Sequence, residues 1–76
     1  MSARPSPRRL RSVLADNVRR AREQRGWSQE YLGEVSGLSQ VYISQIETAK
    51  TAASVDTIEK IASGFGESAE GLLRRE

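Results

Sequence analysis

Four serines set the pattern of this chain. Ser28, Ser39, Ser54 and Ser68 each stand directly before a short stretch with helical apolar spacing. A serine hydroxyl in that place accepts from a backbone N–H in the first turn of a helix, and so marks where the helix starts. Gly26 and Gly37 lie just ahead of two of these serines, where a left-handed turn would end the preceding helix. The result is a series of short helices separated by sharp turns. No stretch alternates apolar and polar residues with period two, and no hairpin dipeptide is present, so no strand is expected.

The first helix is expected from Arg8 to Arg25, a stretch without Gly or Pro, with Leu10, Leu14, Val18 and Ala21 as its apolar stripe. Trp27 follows, placed to pack on the core between two helices. In the second helix Leu32 and Val35 should face inward. Gly33 costs about 1 kcal/mol against Ala inside a helix, which implies that another helix crosses close by. The third helix is expected from its cap at Ser39 to about Thr48, with Ile43 and Ile46 buried and Leu38 just ahead. Residues 49–54 form a loop. The fourth helix carries Val55, Ile58, Ile61 and Ala62 and is broken by Gly64 and Gly66 around Phe65. A last short helix carries Leu72 and Leu73. The fold class is therefore all-α with five helices. Residues 1–9, with two Pro and several Arg, read as a flexible basic arm, and residues 10–76 as the domain.

Composition narrows the function. A chain of 76 residues is one domain at most, and folding at that size buries only about 60% of the surface. It contains no His and no Cys. That removes Ser-His and Cys-His arrangements and the commonest metal ligands. The expectation is a binding module, not an enzyme, with no cofactor, no metal and no small-molecule ligand. No apolar run approaches the ~20 residues of a membrane span. The N-terminus carries arginines with no apolar stretch behind them, unlike a signal peptide. A cytoplasmic chain with no membrane partner is expected.

The net charge of +2 hides an asymmetry. Residues 1–25 hold eight Arg against Asp16 and Glu23, a balance of +6. Residues 26–76 hold Lys50, Lys60, Arg74 and Arg75 against eight acids, a balance of −4. Arginine suits phosphate oxygens and base edges better than lysine does. The basic third is either a polyanion-facing end or a solvated basic helix. Arg4, Arg8, Arg9 and Arg11 either follow a phosphate backbone or a minor groove as an arm does or form a disordered solubilising tail.

Residues 28–47 run N-cap, helix, glycine turn, N-cap, helix, which is the spacing of a helix-turn-helix. In that geometry the N-terminal residues of the second helix lie nearest the base edges of the major groove. Here they are Gln40, Val41, Tyr42, Ser44 and Gln45. Glutamine pairs bidentately with the adenine edge and valine meets the thymine methyl. This outer face carries neutral hydrogen-bonding groups in place of the Glu/Lys mixture of an ordinary solvated helix. Tyr42 is equally placed to pack against the preceding helix, and Ser44 to allow close approach.

The stretch VRRAREQRGWSQEYLGEVSGLSQVYISQIETAK, followed by SVDTIEKIASGFGESAEGLL, resembles the phage-repressor and Cro (XRE) helix-turn-helix family over about residues 14–73. Five features fall in register: Arg22, Ser28-Gln29, Gly37, the Ile43–Glu47 segment and the Ile61–Gly66 run. The resemblance implies a five-helix, lambda-repressor-like domain that binds double-stranded DNA sequence-specifically and regulates transcription. It implies base reading by Gln40, Val41, Tyr42, Ser44 and Gln45, and phosphate contacts from Gln29, Ser39, Thr48, Lys50 and Arg19. It further implies an internal ion pair between Arg22 and Glu47. The segment Tyr42–Glu47 and the short length are most similar to restriction–modification controller proteins and small prophage regulators.

One such domain buries little interface on DNA, so a homodimer on a palindromic operator is expected, with half-sites about 34 Å apart. Phe65, Leu72 and Leu73 are the expected dimer contact, because the apolar groups there exceed what so small a core should absorb. The rival reading is an antitoxin or adaptor that uses the same fold to bind protein. Gly33, where the family usually has Ala, and Gly71 depart from the family pattern without removing a DNA contact.

Overall fold

The computed structural model describes residues 7–74 of the chain. Among them are five helices: α1 (Pro7–Gln24), α2 (Gln29–Ser36), α3 (Gln40–Glu47), α4 (Val55–Phe65) and α5 (Ala69–Leu73). All four serines are N-caps. Their hydroxyls accept from the backbone N–H of Tyr31, Tyr42, Thr57 and Gly71. The helix starts follow from this local chemistry. Helix α1 begins at Pro7, so Pro7, Arg8 and Arg9 belong to a helix and not to an arm. Arg4 and the rest of residues 1–6 lie outside the described residues.

The helices pack α1 on α3 and α5, α2 on α3 and α4, and α4 on α5. Their shared core is Leu14, Val18, Ala21, Leu32, Ile43, Ile46, Ile58, Ile61, Ala62, Phe65 and Leu72. Trp27 packs half-buried on its edge, stacked on Phe65 at 5.6 Å and meeting Tyr31 edge-on at 4.9 Å. No helix among the described residues is long and apolar enough to cross a membrane.

Leu10 is exposed, and the core begins one turn later at Leu14. Val55, the first residue of α4, is also exposed, and the buried stripe of that helix starts one turn later at Thr57 and Ile58. Val35 is 38% exposed, at the rim of the α2–α4 contact and not in the core. The buried face of α2 is Leu32, Gly33 and Ser36. The reason is a close crossing of α2 and α4. A Cβ placed on Gly64 would stand 2.8 Å from Ser36 Oγ and 3.1 Å from Val35 Cγ2. Gly64 therefore does not break α4 but lies inside it, where only a small residue fits.

Gly33 answers to a different neighbour from the one expected. A Cβ there would lie 2.5 Å from the carbonyl oxygen of Leu38, in the turn, rather than against a crossing helix. The Leu38 N–H donates to Gly33 O at 2.8 Å, and Gly37 turns the chain with a left-handed φ of 73°. The α2–turn–α3 angle is thus held by direct backbone contact.

Phe65 and Leu72 were expected at a dimer contact. They are 7% and 2% exposed and belong to the core of the single chain. The core absorbs them because Leu72 packs with α1 and α4, and Phe65 lies under Trp27. Of the three expected residues only Leu73 stays exposed.

Candidate nucleic-acid interface

Helices α2 and α3 frame a shallow groove of about 460 Å³, lined by Gln29, Gln40, Val41, Ser44, Gln45, Thr48 and Lys50. Four of the five expected base-reading residues therefore share one surface with three of the expected phosphate contacts. Val41 is 69% exposed on this surface. Gln40 and Gln45 are exposed beside it. The surface offers amide donors and acceptors, two hydroxyls and one apolar group, with positive charge only at Lys50. That is the chemistry of base-edge readout with phosphate contacts at the rim.

Tyr42 departs from this surface. It is half-buried against the core, and its hydroxyl lies 3.4 Å from Thr57 Oγ1 on α4. The side chain reaches toward α4 and is not among those lining the groove, so it serves packing. Ser39 uses its hydroxyl oxygen to cap α3, accepting from Tyr42 N–H at 3.1 Å.

The C-terminal end of α3 is closed by donors. Thr48 N–H and Thr48 Oγ1 both donate to Ser44 O, at 3.1 and 2.9 Å. Lys50 N–H donates to Gln45 O at 2.9 Å and Ala49 N–H to Ile46 O at 3.1 Å. Arg19 reaches from α1 and donates to Glu47 O at 3.1 Å, while its other terminal nitrogen meets Asp16 at 2.8 Å. Each of the last four carbonyls, orphaned in an isolated helix, has a partner. The Arg19 cation also stands at the negative end of the helix dipole. Arg19 thus holds α3 in place, a use that sequence spacing does not reveal.

Beneath the groove Arg22 and Glu47 form a bidentate ion pair. Arg22 Nε donates to Glu47 Oε2 at 2.7 Å and Nη2 to Oε1 at 3.0 Å. Glu47 is 3% exposed. Arg22 Nη1 donates to Trp27 O at 2.8 Å. The hydrogen bond to Glu47 raises the Arg22 pKa above its ordinary value; burial opposes it, and the weaker attractions of Glu47 and Glu23 add to the rise. Gln29 donates to Glu47 Oε1 at 3.1 Å, so a groove-lining residue is tied to the buried pair.

Two contacts away from the groove were missed in the sequence. Arg25 lies over the Phe65 ring at 4.7 Å and donates to Phe65 O and to Glu67 Oε2, joining the ends of α1 and α4. Asn17 donates to Leu72 O at 2.7 Å and Arg74 O at 2.9 Å, fastening α5 to α1. Both partners lie more than 39 residues away in sequence, so no local pattern announces them.

The helix-turn-helix family profile matches residues 18–72. The chain belongs to the XRE-type helix-turn-helix family. Its helix-turn-helix is α2–turn–α3, and the match takes in all of α2, α3 and α4. The chain is 41% identical over 69 residues to a Neisseria meningitidis protein named as a hypothetical transcription factor, covering 91% of this chain and 65% of that protein. It is 34% identical over 67 residues to the control protein C.SmaI of Serratia marcescens, covering 88% of this chain and 80% of that one. The crystal structure of a hypothetical transcription factor from Neisseria superimposes with a TM-score of 0.84 at 38% identity, over 97% of this chain and 85% of that one. This helix-turn-helix chain therefore shares its fold with transcription regulators, and it spans about two thirds of the length of the Neisseria relative.

Proposed function

We propose that this chain regulates transcription in the cytoplasm by binding a palindromic operator as a homodimer, with α3 seated in the major groove. One observation carries the reading. The exposed face of α3 is uncharged and hydrogen-bonding, and it is continuous with Gln29, Thr48 and Lys50 on a single groove. Gln40 and Gln45 would pair with base edges, Val41 would meet a thymine methyl, and Ser44 would permit close approach. Gln29, Ser39 and Lys50 would meet phosphates. The Thr48 hydroxyl donates within α3, so its contact to a phosphate would require that bond to be given up. Arg19 donates to Glu47 O and Asp16, and its half-exposed guanidinium would meet a phosphate through its remaining N–H groups.

The dimer reading rests on need. A single small domain covers too little DNA for high selectivity, and two-fold pairing doubles the contact. Leu73, exposed where α5 is fastened to α1 by Asn17, is the residue of the expected contact that remains available. Selection of bound sequences from a pool of random duplex DNA tests the whole reading. Recovery of two inverted half-sites supports it. Recovery of a single unrepeated site would remove the dimer, and recovery of no sequence preference would remove base reading.

A further inference from the structure

We infer that Ala49 is a positioning residue for DNA binding, which acts by aiming Lys50 at the phosphate backbone beside α3. The inference rests on the DNA-binding reading above and deepens it. Ala49 has a φ of 59° and is the one non-glycine residue among those described with a left-handed backbone. The other three left-handed positions, with φ of 69° to 74°, are Gly26, Gly37 and Gly66. This chain therefore uses glycine where it only needs to turn. Beside the groove it uses alanine.

A left-handed alanine is strained, because its Cβ crowds the following carbonyl oxygen. Such a conformation persists only where its surroundings over-determine it. They do so here. Ala49 N–H donates to Ile46 O and Lys50 N–H to Gln45 O, the paired bonds of a closed helix end. Thr48 Oγ1 and Arg19 Nη1 secure the carbonyls on either side. The turn places Lys50 on the groove with Gln29, Gln40 and Gln45. Glycine in this place would satisfy the same hydrogen bonds. It would also let the corner visit other conformations, and the ordering of Lys50 would then fall on the DNA complex.

The test compares wild type, Ala49→Gly, Ala49→Asn, Lys50→Ala and the Ala49→Gly/Lys50→Ala double variant. Thermal unfolding and affinity are measured on the duplex that wild type selects from a random pool, across a salt series. Ala49→Gly should melt no lower than wild type yet bind about 2- to 10-fold more weakly, the cost of ordering one long side chain. Ala49→Asn should retain binding, because Asn adopts the left-handed conformation without the freedom of Gly. Lys50→Ala should weaken binding and flatten the log–log salt slope by about 0.9. The double variant should match Lys50→Ala. Wild-type affinity in Ala49→Gly, or the same loss with and without Lys50, would overturn the inference while leaving the DNA-binding reading intact. Failure of wild type to select any duplex would instead overturn that reading, and this inference with it.

Discussion

Gln29 Nε2 donates to Glu47 Oε1 at 3.1 Å, so the first residue of α2 is bonded to the last residue of α3. The carboxylate that receives it also holds Arg22 from α1. Three helices therefore meet at one buried anion. The angle between the two helices of the motif is set by this contact at one end and by the Gly33–Leu38 contact at the other.

Replacing Glu47 should expose how much depends on that anion. Glu47→Ala leaves Arg22 largely buried with only the exposed Glu23 carboxylate at 4.0 Å as a counter-charge, and a loss of about 3–5 kcal/mol is the upper bound expected from breaking such a pair. Urea unfolding reads it directly. Replacing both partners by apolar residues of similar size should cost less than Glu47→Ala alone. The raised Arg22 pKa gives a sign for pH. While Glu47 is ionised, its contribution is complete below the arginine range and is lost only as pH rises through the folded value, so no loss from this group is expected in mildly alkaline buffer.

Leu72 and Leu73 are neighbours with opposite duties. Leu72→Ala should destabilise the single chain by about 2–5 kcal/mol, because it empties a fully buried site. Leu73→Ser should leave unfolding nearly unchanged and weaken self-association. Sedimentation beside a denaturant curve separates the two. Loss of stability from Leu73→Ser without any change in association would remove Leu73 from the proposed dimer contact.

Gly33 should resist enlargement. A valine there would push its Cβ to within 2.5 Å of Leu38 O, a backbone atom that moves only with the turn. Gly33→Val should cost about 1–3 kcal/mol. Because the turn orients α3, DNA affinity measured below the melting transition should fall as well.

Tyr42→Phe tests which side of α3 that residue serves. Its hydroxyl makes one long contact to Thr57 and stands away from the groove. The variant should bind DNA as wild type does and lose no more than about 1 kcal/mol of stability. A marked loss of binding with unchanged melting would place Tyr42 back on the DNA.

The helix starts were legible because capping is local chemistry. Ser28, Ser39, Ser54 and Ser68 each act on a residue three positions away. The groove was legible because the outer positions of one short helix share a face by spacing alone. The departures lie where distant elements meet. Ser36 is buried and Val35 sits at the rim, because α4 crosses both at Gly64. Phe65 and Leu72 read as surplus apolar groups until Trp27, Arg25 and α1 closed over them. The bond from Arg19 to Glu47 O was not legible, because its partner is a backbone carbonyl, which no residue identity marks.

The central claim is that α3 reads bases through Gln40 and Gln45. Its most direct test is the affinity of Gln40→Ala and Gln45→Ala for the duplex that wild type selects, set against a duplex of random sequence. Each substitution should cost roughly 1–3 kcal/mol on the selected duplex and almost nothing on the random one. Equal losses on both would contradict base reading and reduce the groove to a phosphate contact.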